Sequence, residues 1–236
     1  MGKTANKIYI YVFQADDGRT GEARLQEAVR DYCKNQEARC PELLRVERTE
    51  KGKPYFSNCP NIQFSVSHSG KYWACAVSRE VVGLDLQEHT LKKRMAEVEM
   101  ESRLWKLSRR FFSADEVRFV EEDINNTFFA VWAAREAYVK YLGCGIDKHF
   151  KEYCVLPELQ VDRLALQKKS EESGLSLQKE SGENRTVLQN LSGGAAWQAM
   201  QAVFWKCEWT DPEGLTYTLC VCTQDPGECE LILWDK

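Results

Sequence analysis

Two short segments of this 236-residue chain carry residue types that could together hold a metal ion. Trp132, Glu136 and Lys140 are four positions apart, so a helix would place them on one face. Asp85 and Gln87, further upstream, are two positions apart, so a strand would point both side chains to the same side. One carboxylate from each segment, with an ammonium group nearby, would suit a pyrophosphate bound to Mg²⁺. Each segment alone is a weak signal, but their combination predicts a site of this kind.

The strand that would carry Asp85 belongs to a region of alternating apolar and polar residues. We predict a three-stranded β-meander there, with Leu84 and Leu86 facing a core and a second meander at the C-terminal end. The predicted strands span residues 7–13, 43–48, 62–67, 72–78, 81–86, 201–209, 215–222 and 230–234.

The helix that would carry Glu136 is predicted to begin near Asn126 or Thr127 and to end at Gly143, a suitable residue just past a helix C-terminus. An earlier helix is predicted over 22–35, and Ser113 with Glu116 has the pattern of a capping box. Residues 168–194 are rich in Ser, Glu, Lys and Gly, which predicts either a long exposed loop or a partly disordered insertion, with room for one short strand.

The order of these elements indicates an α+β fold made of two similar α/β halves, split near residues 90–105. We therefore predict domains at 1–95 and 96–236.

Composition excludes several classes of protein. A net charge of −4 gives no basic footprint for duplex nucleic acid, and no run reaches the roughly 18 apolar residues that cross a membrane. The ten cysteines contain no CxxC pair, so a zinc ribbon is not expected. We predict a cytoplasmic protein in which most cysteines are reduced core thiols.

Five ordered motifs resemble those of the surfactin-type 4′-phosphopantetheinyl transferases, over roughly residues 50–146. Members of this family move the phosphopantetheine arm of coenzyme A onto a serine of a carrier protein, require Mg²⁺ and release adenosine 3′,5′-bisphosphate. Their fold is a pseudo-dimer of two α+β halves with the active site between them, which implies a monomer. The motifs are Gly52-Lys53-Pro54, Phe64-Ser65-Val66-Ser67-His68-Ser69, Gly83-Leu84-Asp85-Leu86-Gln87, Arg110-Phe111-Phe112 and Trp132-Ala133-Ala134-Arg135-Glu136-Ala137-Tyr138-Val139-Lys140.

The resemblance implies a role for each polar residue in these motifs. Asp85, Gln87 and Glu136 would be the metal ligands, and Glu136 would also be the general base for the carrier serine. Lys140 would contact a phosphate and stabilise charge on the leaving group. Coenzyme A would be bound by Lys53, Pro54, Ser67, His68 and Lys140.

The chain departs from the family pattern at three places. Gln87 stands where the family most often has Glu, so we expect weaker Mg²⁺ affinity. Arg135 stands where Lys is common, and we expect it to face away from the Glu136 stripe into solvent. No N-terminal basic residue aligns with those that grip the 3′-phosphate in relatives, which leaves open a choice among Arg19, Arg24, Arg30, Lys34 and Arg39.

These departures keep a second hypothesis open, in which the chain only binds coenzyme A or a carrier protein without turnover. An unrelated metal-dependent phosphohydrolase is a third hypothesis, disfavoured because the chain lacks clusters of His and Asp. The sequence does not identify the carrier protein, nor whether it serves lysine, fatty-acid, polyketide or nonribosomal-peptide biosynthesis.

Overall fold

The computed structural model describes residues 7–89, 97–146, 150–155, 189–190, 202–224 and 228–234, and these form a mixed α+β fold. The loop predicted at 168–194 lies outside the described residues, except for 189–190. The helices are α1 (Gly21–Asn35), α2 (Glu97–Phe111), α3 (Ala114–Glu121) and α4 (Ile124–Leu142), followed by a 3₁₀ turn at Phe150–Glu152. The strands are β1 (Lys7–Gln14), β2 (Val46–Arg48), β3 (Pro54–Phe56), β4 (Gln63–Ser69), β5 (Tyr72–Ser78), β6 (Val82–Glu88), β7 (Tyr153–Cys154), β8 (Gln189–Asn190), β9 (Val203–Thr210), β10 (Thr216–Thr223) and β11 (Glu228–Trp234).

Helix α4 is apolar on most of its surface and lies at the centre of the fold. It begins at Ile124, two or three residues before the predicted start, and its C-terminal end is as predicted. Gly143 adopts φ 71°, a left-handed conformation that suits glycine, and its N–H donates to the Val139 carbonyl over 2.8 Å. The capping box at the start of α3 is confirmed, because the Ser113 and Glu116 side chains accept each other's backbone N–H.

The two predicted meanders are wrong in their third strands. Strands β4 and β5 form the expected hairpin, but β6 leaves them and pairs with β10 in a sheet of order β6-β10-β9. At the other end β11 leaves the β9–β10 hairpin and pairs in parallel with β1, in a sheet of order β11-β1-β5-β4. Each predicted meander therefore contributes its third strand to the other sheet.

A seam of serine hydroxyls joins the two sheets and explains why β6 needs no backbone ladder with β4. On one face of β4, alternate serines accept hydrogen bonds from alternate N–H groups along the free edge of β6, which would otherwise be unpaired. The pairs are Leu84 N to Ser65 Oγ at 2.9 Å, Leu86 N to Ser67 Oγ at 3.2 Å and Glu88 N to Ser69 Oγ at 2.9 Å.

Strand β6 and helix α4 meet at Gly83. A Cβ atom at Gly83 would lie 2.0 Å from the Ala137 carbonyl oxygen and 2.4 Å from the Tyr141 nitrogen, closer than any real contact. Leu84 and Leu86 point away from α4 into a separate core, as predicted, so Asp85 faces the helix. The absence of a side chain at Gly83 thus sets the distance between the two segments that carry the predicted site.

The other predictions from composition concern cysteines and membranes. All ten cysteines are free thiols, and six of them are buried. Among the described helices, none is long and apolar enough to cross a membrane.

Candidate active site

Asp85 lies at the contact between β6 and α4, with only 2% of its surface exposed. The Lys140 ammonium donates to Asp85 Oδ1 over 2.6 Å and to Ser67 Oγ over 3.0 Å. The Ser67 hydroxyl donates to the same Asp85 oxygen over 2.9 Å. Three predicted site residues from three different elements therefore form one hydrogen-bonded cluster.

Gln87 shares the face of Asp85, as its spacing predicts. Its Nε2 donates to Asp85 Oδ2 over 2.7 Å, so both carboxylate oxygens of Asp85 accept hydrogen bonds. The side-chain amide also has an oxygen, which is a ligand that Mg²⁺ accepts.

Glu136 lies one helical turn before Lys140, and Trp132 one turn before that. All three are partly exposed while their neighbours on α4 are buried, which confirms the stripe. Among the described residues, none makes a hydrogen bond to the Glu136 carboxylate. Burial raises the pKa of Glu136 to about 7, and the negative charge of Asp85 adds to the shift, while Lys140 and Arg135 oppose it.

A cavity of about 280 Å³ opens beside this cluster, and three of the predicted residues, Lys53, Pro54 and Lys140, line it. Lys53 donates from Nζ to the Tyr141 carbonyl over 2.8 Å, at the C-terminal end of α4. Its stem packs over Gly143, where an added Cβ would lie 2.9 Å from Lys53 Cδ. Burial lowers the pKa of Lys53 to about 8.

Sequence reasoning missed two basic residues of this cavity, Arg48 and Lys51. Both are exposed. Arg48 ends β2, Lys51 lies in the turn that joins β2 to β3, and Arg48 Nη1 donates to the Gly52 carbonyl over 2.9 Å. The signal that could have found them is the repetition of basic residues at 48, 51 and 53 around Gly52.

Two of the N-terminal basic residues are engaged elsewhere. Arg24 is buried and bonds to Asp17 and the Ala15 carbonyl, while Arg19 bonds to Asp17 and Glu27. These partners fix the loop between β1 and α1. Arg19 and Arg24 are therefore weaker candidates for a phosphate site than Arg48 and Lys51.

Ser67 and His68 point to opposite faces of β4. Ser67 is buried in the seam, whereas His68 is exposed on the face that also carries Val66, a residue of the cavity wall. Only His68 of the two is thus open to a ligand as the structure stands.

Arg135 corrects the expectation that it faces solvent. It is 1% exposed, its guanidinium forms an ion pair with Glu116, and it donates to the Phe150 carbonyl. The Glu116 carboxylate also accepts from Ser113 N over 2.8 Å and from Val155 N over 2.6 Å. The expectation was wrong because α4 is covered on nearly all sides, so its second polar position is buried in the protein.

The predicted metal ligands supply only oxygen donors, two carboxylates and one amide, as Mg²⁺ prefers. No group of three or more His, Cys, Asp and Glu residues suited to a metal occurs in the part of the chain that the structure describes. Burial and, after it, repulsion by the Asp85 carboxylate raise the pKa of Glu136. A divalent cation would relieve that repulsion, so these residues fit such an ion.

Comparison with known proteins gives two adjoining family matches. Residues 81–191 match the 4′-phosphopantetheinyl transferase superfamily, and residues 2–80 match the N-terminal part of a 4′-phosphopantetheinyl transferase. The two matches together cover most of the chain.

Individual relatives are also named as phosphopantetheinyl transferases. A 4′-phosphopantetheinyl transferase of Bacillus subtilis is 26% identical over 110 residues, which are 45% of this chain and 44% of that protein. A putative 4′-phosphopantetheinyl transferase of Synechocystis is 30% identical over 134 residues, 50% of this chain and 51% of that protein. The L-aminoadipate-semialdehyde dehydrogenase-phosphopantetheinyl transferase of Mus musculus is 29% identical over 114 residues, 44% of this chain and 36% of that protein. The chain thus spans about half the length of these relatives or less.

Proposed function

Because this chain belongs to the 4′-phosphopantetheinyl transferase superfamily, as a member of the surfactin type, we propose that it transfers the phosphopantetheine arm of coenzyme A onto a serine hydroxyl of an apo carrier protein. The observation that carries the proposal is the meeting of Asp85 with Lys140 beside a cavity with basic walls. Asp85 comes from β6, and Lys140 and Glu136 come from α4.

The cavity would take the nucleotide end of coenzyme A. Arg48, Lys51 and Lys53 supply positive charge for its phosphates, and Pro54 would lie along the nucleotide. Burial lowers the pKa of Lys53 to about 8, and a phosphate bound beside it would favour the charged ammonium, because opposite charges attract. His68, exposed on the same face of β4 as Val66, would reach a phosphate from the side.

Asp85, Glu136 and Gln87 would hold a Mg²⁺ ion. When bound, this ion would neutralise charge on the pyrophosphate and orient it for in-line displacement. The chain's own contribution is to keep these oxygen donors on two rigid elements, whose separation is set at Gly83.

Glu136 is the group suited to receive the serine proton, since a general base works best when its pKa lies near the operating pH, and burial raises the pKa of Glu136 to about 7. The serine oxygen would form a bond to the β-phosphorus of coenzyme A as the bond to the departing adenosine 3′,5′-bisphosphate breaks. Lys140 would exchange its contact with Asp85 for a phosphate oxygen and stabilise the charge on the leaving group.

We also propose that the two sheets represent the two halves of the family's pseudo-dimer, with a boundary near residue 95 and a single chain as the working unit. The exchange of β6 and β11 between the sheets supports this, because each half then completes the other. The active site would lie where α4 of the second half meets β6, the strand that the first half contributes to the second sheet.

Intact-mass spectrometry of apo carrier proteins, incubated with coenzyme A and Mg²⁺, tests the function. We expect the mass gain of one phosphopantetheine arm with the wild-type chain, and none with Asp85→Ala or Glu136→Ala. Glu121→Ala, an exposed acid at the end of α3, is the matched control and should keep full activity. Full activity in either site variant would contradict the site. Coenzyme A binding without transfer, across a panel of carriers, would contradict the function and favour a binding module.

A further inference from the structure

We propose that Ser67 is a positioning residue of the transferase centre: its hydroxyl orients the Asp85 carboxylate and aligns Lys140 beside it, and it does not itself bind coenzyme A. This inference rests on the proposed function, since it concerns how that centre is prepared. It replaces the role of coenzyme A ligand that the family resemblance implies for Ser67.

The hydrogen-bonding capacity of the hydroxyl is fully used. A serine hydroxyl has one hydrogen to donate and two lone pairs to accept with. Leu86 N and Lys140 Nζ are both donors, at 3.2 Å and 3.0 Å from Ser67 Oγ, so they occupy the two lone pairs. The single hydrogen then goes to Asp85 Oδ1 at 2.9 Å. No capacity remains for a phosphate oxygen while these contacts persist.

The geometry around Ser67 is rigid because its backbone belongs to β4 and its first donor belongs to the backbone of β6. Those two strands lie in different sheets, and the serine seam ties them together. The hydroxyl therefore transmits a fixed spacing between the sheets to the carboxylate. Oδ1 of Asp85 is directed by Ser67 and Lys140, and Oδ2 is directed by Gln87.

The two other seam serines provide an internal comparison. Ser69 accepts from Glu88 N over 2.9 Å, so its hydroxyl supports β6 in the same way. Unlike Ser67, it has no hydrogen bond to Asp85 or to Lys140 among the described residues. Ser65 also accepts from β6 but lines the cavity, which makes Ser69 the better control. A difference between the Ser67 and Ser69 variants thus reports the contacts of Ser67 with Asp85 and Lys140, because both serines make the seam contact with β6.

Steady-state kinetics and calorimetry on the full chain test the assignment. For Ser67→Ala we expect kcat to fall about 10- to 100-fold and the Mg²⁺ concentration for half-maximal rate to rise, as for removal of a partner that orients metal ligands. The KM for coenzyme A, and its Kd measured by calorimetry without carrier protein, should stay within about threefold of wild type, because no direct contact is lost. Ser67→Thr should restore part of kcat, and Ser69→Ala should leave kcat unchanged.

Two results would overturn the assignment. Weaker coenzyme A binding with an unchanged kcat in Ser67→Ala would make Ser67 a direct ligand. Equal losses of kcat in Ser67→Ala and Ser69→Ala would make both residues supports of the seam alone.

A readout without turnover separates this inference from the proposed function. In nuclear magnetic resonance spectra of the free protein, Ser67→Ala should shift the Asp85 carboxyl carbon and the Lys140 ammonium signal, and Ser69→Ala should shift neither. A wild-type chain that transfers nothing would refute the proposed function alone. Unmoved Asp85 and Lys140 signals in Ser67→Ala would refute the positioning role even in an active enzyme.

Discussion

Helix α4 takes part in two clusters of charge, and they differ in how completely their carboxylates are satisfied. In one, the Glu116 carboxylate binds Arg135 and the backbone N–H groups of Ser113 and Val155. In the other, Lys140 binds Asp85, but the Glu136 carboxylate makes no hydrogen bond among the described residues. The first cluster is closed and the second is open.

This difference gives neighbouring residues of one helix different roles, one in the stability of the protein and one in its chemistry. Arg135 and Glu136 are neighbours in the chain, yet Arg135 is enclosed by Phe112 and Phe150, while Glu136 is partly exposed. In the closed cluster three donors already satisfy the Glu116 carboxylate, and its cation is buried with it. An open one retains a carboxylate whose pKa of about 7 shows that its charge is poorly compensated, which is the condition a cation or a proton donor would relieve.

The largest expected effect is on catalysis, from Glu136→Gln. This change keeps the size of the side chain but removes the base and one anionic oxygen donor, so kcat should fall by about 10²- to 10⁴-fold. The free energy of unfolding should not decrease, because the lost carboxylate has no hydrogen bond among the described residues. Transfer rates followed by intact mass check the loss of activity, and urea unfolding checks the stability. An unfolding midpoint well below that of wild type would contradict an open cluster.

A change in the closed cluster should instead lower the stability of the protein. Arg135→Met leaves Glu116 buried without its cation, which should lower the free energy of unfolding by about 3–5 kcal/mol. Urea unfolding followed by tryptophan fluorescence measures this, with Arg118→Met as the control because that guanidinium pairs with Asp115 on the surface of α3. The two variants should differ clearly, and equal stabilities would show that the Arg135–Glu116 pair contributes little.

The parts of this arrangement that could be predicted from sequence are local. The capping box at Ser113, the end of α4 at Gly143 and the stripe of Trp132, Glu136 and Lys140 all depend on residues within one or two turns of each other. Strand partners depend on distant residues, which is why β6 and β11 were placed with the wrong neighbours. Arg135 was misjudged for the same reason, since its partner Glu116 belongs to another helix and its burial depends on Phe150.

Gly83 sets how closely α4 approaches β6, and therefore how close the open cluster's Glu136 lies to Asp85. Gly83→Ala would place a Cβ 2.0 Å from the Ala137 carbonyl oxygen, and backbone atoms cannot move aside as a flexible side chain would. We expect a loss of about 1–3 kcal/mol of stability from overpacking, and lower activity because Glu136 moves away from Asp85. Gly21→Ala is the control, since its nearest neighbour would be Trp73 Nε1 at 3.6 Å. If Gly83→Ala had the stability and the activity of wild type, the close approach of α4 to β6 would not determine the geometry of the site.

The open cluster should also reveal itself in the pH dependence of stability. Since the pKa of Glu136 rises from 4.5 to about 7 on folding, the folded protein binds more protons than the unfolded one between these values. Stability from this group therefore falls as pH rises through that window and is constant above it. The stability of Glu136→Gln relative to wild type should increase from pH 5 to pH 7 and then level off, in urea unfolding with EDTA present. A difference that does not change with pH would mean that Glu136 ionises normally in the folded protein.

The smallest expected effect comes from Gln87→Glu, which makes the open cluster more acidic. The amide of Gln87 now donates to Asp85 Oδ2, and a carboxylate at that position could not donate but would add a third acidic oxygen donor. The Mg²⁺ concentration for half-maximal rate should fall about three- to tenfold, a change of roughly 1 kcal/mol in metal binding.

Without Mg²⁺ the variant should be slightly less stable than wild type above pH 7, because three carboxylates would then repel one another. Glu121→Gln, remote on α3, controls for the general effect of charge. A lower Mg²⁺ concentration for half-maximal rate, together with lower stability without metal, would show that residue 87 determines how strongly the cluster depends on a cation. An unchanged Mg²⁺ requirement would place residue 87 outside the metal site.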